Sequence, residues 1–448
     1  EDLNDGNGQP DFLLRHDGSA GFTDVTAAAG LRVGAEGLTL GHSALWVDFD
    51  QDGRLDLLVA NDFEAPDFLY RNRGDGSFER AGERLPVVPY SSMGSDCGDV
   101  NNDGRVDYLL TDMAATTYAK HAESMLSNGR KANLLAGSER PVQVMKNALL
   151  LNRGAGETVD AAYAWGIAAS DWTWSPRLND FDNDGFLDLL ITNGMLRQFH
   201  NADLSYKQDG MTSKAARDAV FRNSPVLEEA NLVFRNRGGR GYIPANEAWG
   251  FEHVGVSFGA VSCDFDRDGD LDVVYGNFNA APSLWRNDLV TGNAVQVRLR
   301  MEGGNRAALG AVLVARFGGT VQAQQLQSNR GYQSSDESVT HFGLGAAAAV
   351  DELEIRWPDG TRQVEEGLEA GFRYTIRQDA ADSRAVEAPE SQPSARFRIV
   401  SRTAVDGAGA GPARAGAEAR PFRAFKAIPG PKRSSFHGGD FDRDGRED

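Results

Sequence analysis

Asp48, Asp50, Asp52 and Asp56 crowd into the stretch DFDQDGRLD, and the same spacing returns three more times. The copies are Asp99, Asn101, Asp103 and Asp107; Asp180, Asp182, Asp184 and Asp188; and Asp264, Asp266, Asp268 and Asp272. In the pattern D-x-D/N-x-D-G-x-x-D, side-chain oxygens at positions 1, 3, 5 and 9 can converge on one point. The backbone carbonyl at position 7 (Arg54, Arg105, Phe186 or Asp270) can add another oxygen. Glycine at position 6 permits the sharp turn this needs. Hard, flexible oxygen ligation of this kind suits Ca²⁺. Without a cation, carboxylates held so close oppose one another's ionisation. A solvated turn rich in Asp and Gly would explain one such loop, but four copies in register favour the metal.

The elements around the loops narrow the choice of fold. An EF-hand requires Glu at loop position 12 and flanking helices. Position 12 here is Val59, Leu110, Ile191 or Tyr275, inside strand-forming runs such as LDLLVAN and LDLLITN. A second element recurs downstream, ending at Asn72, Asn152, Asn236 and Asn287, and usually leads into a Gly-rich turn. Each unit therefore reads as strand, acidic loop, strand, turn, strand. Repetition at intervals of about 50 residues points to a propeller or array. The longer intervals imply insertions near 113–146 and 195–230, read as helical or loop-like.

These repeats resemble the FG-GAP/VCBS family, the blade type of the integrin alpha-chain head, over about 1–288. The resemblance implies an all-β fold: an FG-GAP-type β-propeller, seven-bladed in the complete protein, followed by a small antiparallel β domain. That second part, 290–377, carries Asn305–Ala311, Gly331–Ser335, HFGLG at His341–Gly345 and RWPDG at Arg356–Gly360. In this order they resemble the ASPIC/UnbV domain, with WPDG at a hairpin turn. The pairing of the two modules is similar to the cartilage acidic protein family and its bacterial relatives. It implies calcium-dependent recognition outside the cell, with about four or five Ca²⁺ ions in this chain. Residues 378–430 read as a flexible linker by composition. Residues 431–448 begin another repeat and stop inside its loop, so the complete protein is expected to continue.

Charge and composition exclude some functions. A formal net charge of −19 argues against nucleic acid. No run approaches the ~18 apolar residues of a membrane-spanning helix. Cys97 and Cys263 each precede an acidic loop in a different repeat, and two buried free thiols is the simpler reading than a mutual disulfide. Gly255–Gly259 matches G-x-S-x-G, yet an acidic loop follows where a nucleophile elbow needs a helix, so Ser257 reads as a strand residue. Arg73-Gly74-Asp75 occupies a hairpin slot. His341 reads as a structural histidine bonded to backbone, and Trp172 and Trp174 as core residues or the wall of a central pocket.

The expectation is a non-enzymatic, calcium-binding recognition scaffold for a protein or glycan, secreted, periplasmic or on the cell surface. Two alternatives stand beside it: a propeller enzyme acting on a carbohydrate, as a lyase or dehydratase, and a natural-product biosynthesis component of UnbV type. Fold alone does not separate them.

Overall fold

The computed structural model describes residues 11–378 apart from 32–39, 63–65, 125–140, 200, 209, 290 and 328, together with short strands at 390–391 and 422–424. The repeats fold into four antiparallel sheets of four strands. The first holds Gly41–Val47, Asp56–Asn61, Phe68–Asn72 and Phe78–Arg80. The second holds Ser95–Gly98, Asp107–Leu110, Ala148–Gly154 and Glu157–Asp160, and the third Thr173–Asn179, Asp188–Asn193, Leu232–Asn236 and Tyr242–Pro244. The fourth holds Ser257–Cys263, Asp272–Asn277 and Ser283–Asn287, and its outer strand, Phe422–Ala424, comes from within the stretch read as linker. In every sheet the acidic loop joins the first strand to the second.

The apolar runs are nearly continuous because both faces of each inner sheet are covered. Tyr108, Leu110 and Leu150 pack toward Leu45, Leu58 and Leu69 of the first sheet. Leu109 and Leu149, one residue out of phase, pack toward Leu178 and Leu189 of the third. Leu190 and Val233 then face Ala260, Val273 and Trp285 of the fourth. Because side chains alternate across a strand, one run serves two interfaces. Truncating such a side chain to alanine costs about 2–5 kcal/mol. The first strands of successive sheets lie beside one another, which makes the array propeller-like.

Residues 293–377, joined by the short strand Glu390–Ser391, form a sandwich of two four-stranded sheets. One sheet orders Thr340–Gly345, Asn293–Arg300, Phe372–Arg377 and Glu390–Ser391; the other orders Thr320–Gln325, Val312–Phe317, Ala349–Arg356 and Arg362–Glu369. Its core includes Val295, Leu313, Phe342, Leu353, Trp357 and Ile376. One pair, Asn293–Arg300 with Phe372–Arg377, is parallel; the rest are antiparallel. WPDG turns between paired strands as expected: Gly360 has φ +84° and donates to Trp357 O at 2.9 Å.

The insertions contribute short helices, Tyr118–Glu123, Ala202–Gln208 and Lys214–Arg222. The truncated terminal repeat lies outside the described residues.

The sandwich sits on the loop side of the sheets and sends one segment along their first strands. Asn329 Nδ2 donates to Ala44 O of the first sheet at 3.2 Å. Gly331 N donates to Ser95 O of the second at 2.7 Å. Arg177 of the third donates to Ser334 Oγ at 2.8 Å, and Ser262 N of the fourth donates to Asp336 Oδ1 at 2.9 Å. Arg330 anchors the segment through a two-pronged pair with Asp96, at 2.8 and 2.9 Å.

Candidate metal centre

Each acidic loop is built by the same backbone rules. The residue at position 4 (Gln51, Asn102, Asn183 or Arg267) is left-handed, with φ between +55° and +62°. The glycine at position 6 (Gly53, Gly104, Gly185 or Gly269) has φ from +81° to +101°, as the expected turn requires. These two reversals wrap the loop around the first aspartate. In the third loop Asp180 accepts N–H groups from Asp184 at 3.1 Å and Gly185 at 2.8 Å. The fourth repeats this with Asp264, Asp268 and Gly269, and the second with Asp99, Asp103 and Gly104. The position-7 residues Arg54, Arg105, Phe186 and Asp270 close the turn by donating their N–H to the carboxylate at position 5.

Position 9 does a second job that its spacing alone did not reveal. Asp56, Asp107, Asp188 and Asp272 each open the second strand of their sheet. One oxygen accepts the N–H of Phe49, Val100, Phe181 or Phe265, at 2.9–3.1 Å. The other accepts the N–H of Asn72, Asn152, Asn236 or Asn287, each at 2.8 Å. The amides of those asparagines donate in turn to the carbonyls of Leu55, Val106, Leu187 and Leu271. The recurrent Asn of the third strand is thus the partner of the last loop aspartate. Each carboxylate oxygen keeps a second lone pair, so position 9 remains available to a cation.

Ligand atoms converge in three of the four loops. Asp48, Asp50 and Asp52 bring oxygens within 4.8 Å of one another, as do Asp180, Asp182 and Asp188, and Asp264, Asp266 and Asp272. Among the described residues, Oδ1 of Asp48, Asp50, Asp182 and Asp266 is buried without a hydrogen-bond partner. Three of these four atoms belong to position 3 of their loops. An orphaned buried carboxylate oxygen is costly unless a cation meets it, so these donor sets fit an oxygen-ligated metal. The second loop is different: Asn101 replaces the acid at position 3 and its amide donates to Asp103 Oδ2 at 3.2 Å.

The electrostatics point the same way. Burial is the largest cause and neighbouring aspartates add to it. Together they push Asp48 and Asp182 up to about 6 and Asp56 and Asp272 up to about 7. Asp180 and Asp188 rise well above the usual carboxylate range for the same reasons. Arginines compensate only in part. Arg71 pairs with Asp50 at 2.6 Å, and Arg235 with Asp182 at 2.6 Å and Asp184 at 3.0 Å. Asp268, at position 5 of the fourth loop, stands at about 6, and the side chain of Asp270 turns to accept from Asn183 at 2.6 Å.

The remaining motifs resolve structurally. Ser257 opens a strand and bonds to Asn277 and Asn231, with no helix behind it. Arg73-Gly74-Asp75 forms a hairpin tip in which Arg73 pairs with Glu79 and Asp75 accepts from Ser77. Cys97 and Cys263 are both free. Trp172 and Trp174 are buried in a cluster with Met93 and Met113, against which Phe258 and Tyr332 pack. His341 differs from expectation: Nε2 meets the side chain of Asn183 at 2.7 Å, not a backbone group, and burial drives it down to about 3. Asn183 lies inside the third acidic loop, a long-range contact that no local spacing encodes.

Fold and loops together define a class: an all-β protein in which a propeller-like array of acidic-loop repeats carries a β-sandwich. Residues 48–110 match the FG-GAP-like repeat family, and residues 301–383 match the family described as ASPIC and UnbV. The chain is similar to cartilage acidic protein 1 of Homo sapiens, 24% identical over 374 residues, covering 79% of this chain and 47% of that protein. The Xenopus tropicalis protein of the same name is 25% identical over 381 residues, covering 81% and 50% respectively. The chain thus spans about half the length of these curated relatives. Among the described residues no helix is long and apolar enough to cross a membrane.

Proposed function

We propose that the chain is a calcium-binding, non-enzymatic recognition scaffold that works outside the cytosol and presents its surface to a protein or glycan partner. The observation that carries the calcium reading is the set of orphaned carboxylate oxygens at position 3 of three loops in register. The ligands proposed are the aspartates at positions 1, 3, 5 and 9 with the carbonyl at position 7. In the second loop Asn101 stands at position 3, so that site is the weakest of the four. Calcium supplies positive charge that lets the carboxylates stay ionised while buried, and so ties the first two strands of each sheet together. Loops of this kind fill where calcium is near millimolar, which supports a secreted or surface location.

Recognition is preferred to catalysis because the segment 329–336 runs along the first strands, where an axial substrate pocket would lie. Half-buried Arg330 and buried Arg177 there face Asp96 and Asp336, a set already spent on holding that segment. The test is calorimetric titration of the chelated protein with calcium, alongside melting curves in calcium and in chelator. Three or four binding events and a calcium-dependent rise in melting temperature are expected. No heat of binding and superimposable melting curves would remove the calcium reading.

A further inference from the structure

We infer that cation binding at the third loop and docking of the sandwich are a single coupled equilibrium: the ion holds the sandwich on the sheets, and the sandwich traps the ion. This rests on the calcium reading above and adds to it a mode of regulation.

Of the three clustered loops, only the third is closed over by the sandwich along most of its length. Gly345 N donates to Asn183 O at 2.8 Å, and His341 Nε2 meets Asn183 Oδ1 at 2.7 Å. Thr291 Oγ1 donates to Asp182 O, and Gln322 Nε2 donates to Gly185 O at 2.9 Å. Two glycines make the approach possible. A Cβ on Gly343 would overlap the Asp180 carboxylate, and one on Gly292 would overlap the Asn183 carbonyl. The fourth loop is touched through Gln296 Nε2 on Asp264 Oδ2, at 2.8 Å, and the first through Gln325 near Asp48 N, at 3.4 Å.

The seal has an electrostatic consequence. Asp180, Asp182 and Asp188 are 1%, 2% and 0% exposed. Among the described residues one arginine, Arg235, pairs with this loop, and its side chain is 45% exposed. Among the described residues Asp182 Oδ1 has no hydrogen-bond partner. Covering several ionised carboxylates with protein costs far more than a few neutral hydrogen bonds return, unless a cation is enclosed with them. A docked sandwich and a charged, ion-free third loop therefore oppose each other. Once a divalent ion is bound, the same contacts favour docking. By linkage the effect is reciprocal: whatever weakens docking weakens the third site by the same factor. The pair of Arg330 with Asp96 lies outside the loop and holds the inserted segment without help from the ion. Loss of the ion should therefore loosen the sandwich edge at 340–345 and 291–293 first, rather than detach the whole domain.

The experiment is hydrogen exchange by mass spectrometry on the whole chain, in calcium and in chelator, with calcium calorimetry on the same samples. Exchange at 340–345 and 291–293 should rise on chelation. Asp182→Asn should reproduce that rise in calcium, and Asp50→Asn, which disables the first loop, should not. Acting from the other side, Gly343→Ala should weaken one calcium site about tenfold and leave the rest unchanged. If ions bind but exchange at 340–345 is the same with and without them, the coupling is wrong while the calcium reading survives. If no ion binds, both fall. The wild-type comparison decides the matter even where a variant does not fold.

Discussion

The first and third acidic loops have nearly the same sequence, DFDQDGRLD and DFDNDGFLD, and nearly the same backbone, yet they are different sites. The third is sealed, with its three clustered aspartates fully buried. The first is more open: Asp48 and Asp50 are half-buried, Asp52 is exposed, and Asp52 is met by both Arg54 and Arg71. Local sequence sets the ring of oxygens. What covers the ring sets how much the cation matters, because a charge half in water is already largely compensated and a buried one is not. Four matching motifs therefore need not have four matching affinities.

The largest expected effect is calcium removal itself. At about 100 times its dissociation constant, an ion adds roughly 2.7 kcal/mol per independent site, so chelation should lower the melting temperature by several degrees. Most of that loss should be traced to the third loop. If Asp182→Asn and Asp50→Asn remove equal shares of the calcium-dependent shift, the distinction between sealed and open sites disappears.

Next in size is the position-9 clamp. Asp188→Ala leaves two buried backbone N–H groups, of Phe181 and Asn236, without acceptors. At about 1–3 kcal/mol per orphaned donor, the cost should be on the order of 3 kcal/mol, and it should persist in chelator. Asp56→Ala should cost less, because Asn72 lies closer to water. Chemical denaturation in chelator measures both.

A third test uses pH. The raised carboxyls, Asp48 at about 6 and Asp56 at about 7 in the first loop and Asp182 at about 6 in the third, bind protons more tightly when folded than when unfolded. Stability without calcium should therefore be greatest near pH 4 and decline as pH rises toward 7. Calcium displaces those protons, so its affinity should climb over the same range and offset the decline. Denaturation at pH 5 and 7.5, with and without calcium, shows whether the two trends cross. A calcium affinity that does not vary with pH would contradict the raised carboxyls.

The smallest effect concerns the arginines. Arg71→Gln removes a solvent-screened cation and should change stability in chelator little. By removing a competing positive charge it should also raise first-loop calcium affinity a few-fold. Terbium luminescence, titrated against calcium, would register that gain; a loss of affinity would mean that Arg71 supports the site.

Much of the array was legible from local rules. The loop glycines, the strand runs after each loop, the WPDG hairpin and the short helices of the insertions all follow from turn chemistry and alternation within a few residues. The recurrent Asn at 72, 152, 236 and 287 was visible as a repeat, but its role was not. Its partner aspartate is 15 to 48 residues away in sequence and is met only when the third strand pairs with the second. His341 was misplaced for the same reason, since Asn183 is 158 residues distant. The outer strand at Phe422–Ala424 was hidden by the low-complexity composition around it.

The sequence by itself determined where oxygens gather, because each loop closes through contacts within nine consecutive residues and a glycine that only one backbone geometry can use. It also determined which runs become strands and that two modules follow one another. Only the tertiary structure decided which loop is sealed and which is left to solvent, and that the sandwich reaches along the first strands of all four sheets. Burial is a property of surfaces brought together from distant parts of the chain. Gly343 and Asp180, at the tightest point of the seal, carry no sign in their own neighbourhoods that they will meet.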